Sequence, residues 1–147
     1  MNLLFGGAGS TRVGDIGILL LRLSGALICL GHGWSKMFGP NRFGPPQQFI
    51  DSIGNMAFPA PTLFAWSAAL AEFLGGALIA LGLLTRPAAL ALSFNMIVAA
   101  FGAHYDDPFF SQGGPSKEFA LVYATTFLPL IFLGAGRYSA DRLLYRS

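Results

Sequence analysis

Apolar residues in this chain run in four long blocks, separated by short polar breaks or by stretches rich in Gly and Pro. The blocks extend from about Gly14 to Met37, Pro61 to Leu84, Pro87 to His104 and Glu118 to Gly134. Each lies within or near the roughly 17 to 25 residues that carry an α-helix across a bilayer. The fourth is the shortest and contains Pro129, which removes a backbone donor and predicts a kink. Leu84-Thr85-Arg86-Pro87 leaves almost no loop between the second and third blocks, so these helices are expected to be antiparallel, with Pro87 in the first turn of the third. In the long first connection, Phe49, Ile50, Ile53 and Met56 recur at helical spacing. This predicts a short amphipathic helix on the outer membrane surface, placed to cover the end of the bundle. The reading is an all-α integral membrane four-helix bundle, a single transmembrane domain over residues 1–147.

Composition strengthens this picture. The chain is 54% hydrophobic and 11% charged, against about 25% charged in an ordinary soluble domain, so it has little polar surface with which to face water. The formal charge is only +2, and the basic residues are scattered, which argues against nucleic acid as a partner. Cys29 is the one cysteine, so the chain carries neither a dithiol shuttle nor a cysteine zinc site. The N-terminus has no basic region and no A-x-A signal, and the first apolar block is expected to be retained.

Charge placement predicts an orientation. Arg12, Arg86, Arg137, Arg142 and Arg146 fall on the side shared by the termini in a four-span topology, and Lys36, Arg42 and Lys117 fall opposite. Five against three puts both termini in the cytoplasm. Trp34 and Trp66 mark the outer interface, and Tyr138 and Tyr145 the inner one.

Arg22 and Glu72 lie inside the apolar blocks. An intramembrane charge costs about 2.5 to 3.5 kcal/mol on insertion scales, so such residues usually face the bundle interior and pair. At about 100° per residue, Asp15, Ala26, Cys29, Gly33 and Lys36 share the Arg22 face, whereas Leu20, Leu23 and Leu27 project elsewhere. Ala65, Ala68 and Gly76 share the Glu72 face, and small residues beside a charge predict close helix contact. An Arg22–Glu72 pair is therefore expected, serving to bind a quinone carbonyl or relay a proton, or else to lock two helices together. In the third block, Asn95 projects with Ala88, Ala91 and Ala99 and reads as an interhelical hydrogen bonder. His104 projects elsewhere, so the two are not expected to serve one site. Tyr123, Thr125 and Thr126 are expected to satisfy carbonyls exposed at Pro129. His32 and His104 fall at outer helix ends near Asp106 and Asp107, where a proton gate, a metal site or ordinary interfacial hydrogen bonding are the alternatives. No H-x-x-E or H-x₃-H spacing exists, so metal is disfavoured.

The segments LRLSGALICLGHGWSKMFG, FPAP followed by AALAEFLGGALIALGLLTRPAALAL, NMIVAAFGAH and GAGRYSADRLL resemble, in that order, the DoxX family of small bacterial membrane proteins. The most specific parts are E-x-x-G-G-x-L-x-x-x-G-L-L-T-R from Glu72 to Arg86 and G-x-G-R-Y-S-x-D from Gly134 to Asp141. Some DoxX-like proteins are described as the membrane subunit of thiosulfate:quinone oxidoreductase. The resemblance thus implies the bacterial inner membrane and redox work near the quinone pool. Mapped by motif position, the polar residues of interest are Arg22, His32, Lys36, Glu72, Arg86, His104, Arg137 and Asp141, with Arg86 and Arg137 read as surface anchors.

The expected function is a quinone-interacting subunit of a membrane redox system. Arg22 and Glu72 are the expected catalytic pair, and Arg22, Glu72, His32, His104 and Lys36 the expected quinone-binding residues. Neither metal nor heme is expected. The chain is read as lacking the fused soluble domain of some larger relatives, so an electron donor would be a separate redox partner protein or a larger membrane complex. The lipid bilayer and a homo-oligomer complete the expected partners. The alternative is a noncatalytic anchor or assembly subunit. The discriminating feature is an apolar cleft, open to lipid, beside the charged pair.

Overall fold

A computed structural model describes residues 11–144. Four long helices form the molecule: α1 (Arg12–Met37), α3 (Pro61–Leu81), α4 (Thr85–Ala103) and α5 (Glu118–Leu133). A short hairpin, β1 (Phe38–Gly39) with β2 (Arg42–Phe43), and the helix α2 (Gln47–Asn55) link α1 to α3, and α6 (Ala140–Leu144) follows α5. The protein is an all-α membrane bundle. α1, α3 and α4 are long and apolar enough to cross a membrane, and α5 is a shorter apolar helix.

The bundle places large side chains outward and small ones at its contacts. Leu20, Leu23, Leu27, Leu74, Leu90, Phe101 and Phe132 are exposed, as suits a lipid solvent. The core is built from Ile28, Ile79, Ala88, Ala89, Leu92, Met96, Ala124, Phe127 and Leu130. α1 and α3 cross at Gly25 and Gly76, where a Cβ on either glycine would lie 2.7 Å from the backbone oxygen of the other. That crossing sets the axial register of every side chain on the two rods.

Each of α1, α3 and α4 contains one π-helical turn: Cys29–Gly33 in α1, Ala71–Gly75 in α3 and Ala99–Ala103 in α4. Such a turn inserts an extra residue and rotates everything beyond it relative to an uninterrupted α-helix. The first two meet directly, since a Cβ on Gly33 would lie 2.5 Å from the Phe73 backbone.

α3 ends at Leu81, before left-handed Gly82 (φ 71°), and α4 begins at Thr85 after left-handed Leu84, so α3 stops three residues earlier, and α4 starts two residues earlier, than the apolar pattern indicates. Pro129 lies inside α5, but Thr125 and Thr126 donate to the carbonyls of Leu121 and Val122, a full turn before the carbonyl that Pro129 leaves free. The expected repair of the kink by these threonines is thus corrected: hydroxyls reach back along a helix, toward residues three and four positions earlier. Tyr145 and Arg146 lie outside the described residues.

Candidate functional site

Arg22 and Glu72 are both buried, at 2% and 3% exposure, and they do not meet. The Arg22 guanidinium donates to four backbone carbonyls: Ile79 at 2.9 Å, Ala80 at 2.7 Å, Ala135 at 3.0 Å and Tyr138 at 2.5 Å. The first two are among the last four carbonyls of α3, where intrahelical partners run out; Ile79 O also accepts from Gly82 N at 3.1 Å, so Arg22 completes the capping of this helix end. Around this centre the terminal end is knotted together. Asp141 accepts from Leu84 N at 3.0 Å and its own N–H donates to Gly82 O, while Asp15 accepts from Arg137 N at 2.9 Å. The Gly25–Gly76 crossing sets Arg22 opposite Ile79, about 10 Å along α3 from Glu72 at 1.5 Å per residue, too far for the expected pair to form.

Glu72 pairs instead with Lys36, whose Nζ lies 2.6 Å and 2.7 Å from its two carboxylate oxygens. Asn95 Nδ2 donates to Oε1 of the same carboxylate at 3.1 Å. Three helices therefore converge on one buried anion, from α1, α3 and α4. Lys36 is held further by the Phe49 ring of α2, with Nζ 4.7 Å from its centroid. The expected interhelical role of Asn95 holds.

Beside this cluster is a cavity of about 580 Å³ between α2, α3 and α4, a size typical of small-molecule sites. Phe49, Ile53 and Met56 of the amphipathic segment close one side, and Phe58, Phe64, Ala68, Ala71, Ala91, Val98 and Ala99 make the remaining apolar walls. Phe94 lines the cavity while remaining 67% exposed, so the cavity opens on the lipid-facing flank. Lys36, Glu72 and Asn95 provide polar groups on its wall, and His104 provides another.

The π turn Ala99–Ala103 accounts for another correction. An uninterrupted helix would point Asn95 and His104 to opposite faces, but the turn lies between them, and both line the cavity. His104 Nδ1 lies 2.7 Å from Asp107 Oδ2. His32 stands elsewhere. It is exposed, packs its ring edge-on to Tyr123 of α5 at 6.3 Å between centroids, and does not line the cavity. Of the residues expected to form the site, Glu72, Lys36 and His104 come together, whereas Arg22 and His32 stand apart. No cluster of three or more metal-ligating side chains is found among the described residues.

Sequence reasoning missed Asp107 as the partner of His104, although their i, i+3 spacing was visible, and it kept Asn95 out of the site. The partnership of Lys36 was within reach, since Lys36 shares the Arg22 face. The missing information was axial register.

The DoxX family model matches residues 17–105, which include α3, α4 and the cavity. The chain belongs to the DoxX family. DoxX relatives include the inner membrane protein YqjF of Escherichia coli, 33% identical over 90% of this chain and 95% of its own length. Another is the E. coli inner membrane protein YphA, 34% identical over 85% of this chain and 88% of its own length. A third is similar at 29% identity over 90% of each chain and carries the name "Putative oxidoreductase CatD" in Bacillus subtilis. No solved structure matches this DoxX chain. The Gly134–Asp141 motif falls outside the matched range, in the knot around Arg22.

Proposed function

We propose that this DoxX protein is a quinone-interacting subunit of a bacterial inner-membrane redox system, with the cavity between α2, α3 and α4 as the quinone site. The observation that carries this reading is an apolar cavity, open toward lipid at Phe94, with Lys36 and Asn95 gathered on the buried Glu72 carboxylate at its wall. The donor set suits a flat ring bearing two carbonyls and an apolar tail. Phe49, Phe58 and Phe64 supply aromatic surface for the ring, and the ammonium of Lys36 and the amide of Asn95 supply hydrogen-bond donors. A bound quinone would supply the two-electron chemistry that this chain's own side chains lack.

The chain's residues hold, orient and protect. Glu72 fixes the ammonium of Lys36 at the cavity wall, and Asn95 prevents the carboxylate from rotating away. The α2 side chains Phe49 and Ile53 restrict water on that side. The name carried by CatD supports redox work in this family, and we take a separate partner protein as the electron donor.

The proposed orientation puts the described ends, Thr11 and Leu144, in the cytoplasm. Arg12, Arg137 and Arg142 are exposed at that end, whereas Lys36, Arg42 and Lys117 at the other are bound to Glu72 or to backbone carbonyls. Uncommitted positive charge thus gathers on the side carrying the termini, which supports the positive-inside assignment.

The test is direct. Protein extracted in polymer-bounded native lipid discs is analysed by mass spectrometry for bound quinones, then titrated with a short-chain quinone. Ala99→Phe, which fills the cavity, is expected to remove binding while the helical spectrum persists. Equal binding by the parent and the filled variant would overturn the assignment of the site.

A further inference from the structure

Resting on the quinone reading of the cavity, the structure points to a second element of the site: a proton port at its mouth. Glu72 is nearly inaccessible, whereas His104 both lines the cavity and exposes 35% of its side chain. Asp107, 32% exposed, accepts from Nδ1 at 2.7 Å. A carboxylate on Nδ1 fixes the imidazole tautomer, leaves Nε2 as the basic nitrogen, and stabilises the imidazolium when it forms.

The turn that carries this dyad is anchored. Buried Lys117 donates from Nζ to the carbonyls of Tyr105, at 2.7 Å, and of Asp107, and Asp107 N donates to His104 O at 3.2 Å. His104 itself follows the π turn that rotates it toward the cavity. The charged groups around it are Asp106 and Asp107 on its own turn, Lys117 before α5, and Lys36 and Glu72 on the cavity wall.

We propose that His104, positioned by Asp107, exchanges protons between a hydroxyl-bearing quinone-type ligand in the cavity and water at the end opposite the termini. In the forward direction the ligand O–H bond breaks and an Nε2–H bond forms. The imidazolium then returns one proton to water. No electrons pass through the imidazole, so the step is acid–base chemistry alone.

The test uses the full chain in lipid nanodiscs and an alkyl-substituted 2-hydroxy-1,4-naphthoquinone, an anion near neutral pH, as the probe. Calorimetry in buffers of different ionisation enthalpy counts the protons taken up on binding. The parent is expected to take up more protons on binding than His104→Gln, which lacks the imidazole. Since the chain has two histidines, His32→Gln leaves one imidazole for ¹⁵N spectroscopy. The free protein is expected to hold its proton on Nδ1, and Asp107→Asn, which keeps the imidazole, to lose that preference. Uptake that persists in His104→Gln but disappears in Glu72→Gln would assign the exchange to Glu72 and overturn the port while leaving the quinone site standing. Absence of any probe binding to the parent would overturn both.

Discussion

Lys36 and Glu72, 36 positions apart in sequence, form a two-pronged ion pair with Nζ 2.6 Å and 2.7 Å from the carboxylate oxygens. The Glu72 side chain is buried and that of Lys36 is 24% exposed. A pair of this kind is costly to break on one side, because the remaining charge keeps its desolvation penalty. Lys36→Met is expected to destabilise the protein by about 1 to 3 kcal/mol, discounted for the partial exposure of Lys36. The double variant with Glu72→Leu should recover most of this. Thermal unfolding in one detergent measures the cycle, and additive losses would contradict the coupling.

Glu72→Gln keeps the shape of the side chain and removes its charge. It is expected to leave the helical spectrum intact while abolishing quinone-dependent turnover with a partner, because Lys36 loses its fixed position. Loss of folding together with turnover would favour the anchor reading.

Arg22 predicts a different phenotype. Its guanidinium satisfies four carbonyls from two separate segments, and an ammonium has neither the reach nor the fork geometry to replace it. Arg22→Lys is expected to cost about 3 kcal/mol or more, from buried hydrogen bonds to a charged donor. Limited proteolysis should then cut first near residues 134–141. Probe affinity measured below the unfolding transition should be unchanged, because Arg22 does not line the cavity.

Gly76→Val directs new carbon atoms at the α1 backbone at Gly25. Overpacking of this kind costs about 1 to 3 kcal/mol, and here it also shifts the register that brings Lys36 to Glu72. Both stability and probe binding are expected to fall. A variant that loses stability but binds normally would show that the two are not linked through the crossing.

Cys29 is the one cysteine in the sequence and is buried, so topology is readable by labelling. In a Cys29→Ala background, Gln48→Cys is expected to react with a membrane-impermeant maleimide from outside intact cells. Arg137→Cys should react only after the cells are opened. The reverse pattern would invert the orientation.

Local chemistry was enough to reveal the helical membrane character, the amphipathic segment over residues 47–55, the outward Leu face of α1 and the buried charges. Hydropathy, periodicity and the high cost of charge in hydrocarbon act on short stretches of chain. Charge partners were decided elsewhere. Opposite charge favoured Arg22 with Glu72, but the Gly25–Gly76 contact fixed the sliding position of two rods and gave Glu72 to Lys36. The π turn in α4 then altered angular phase, bringing Asn95 and His104 to one cavity. Neither axial register nor inserted phase has a reliable signature in a single helix, because both arise when backbones pack against one another.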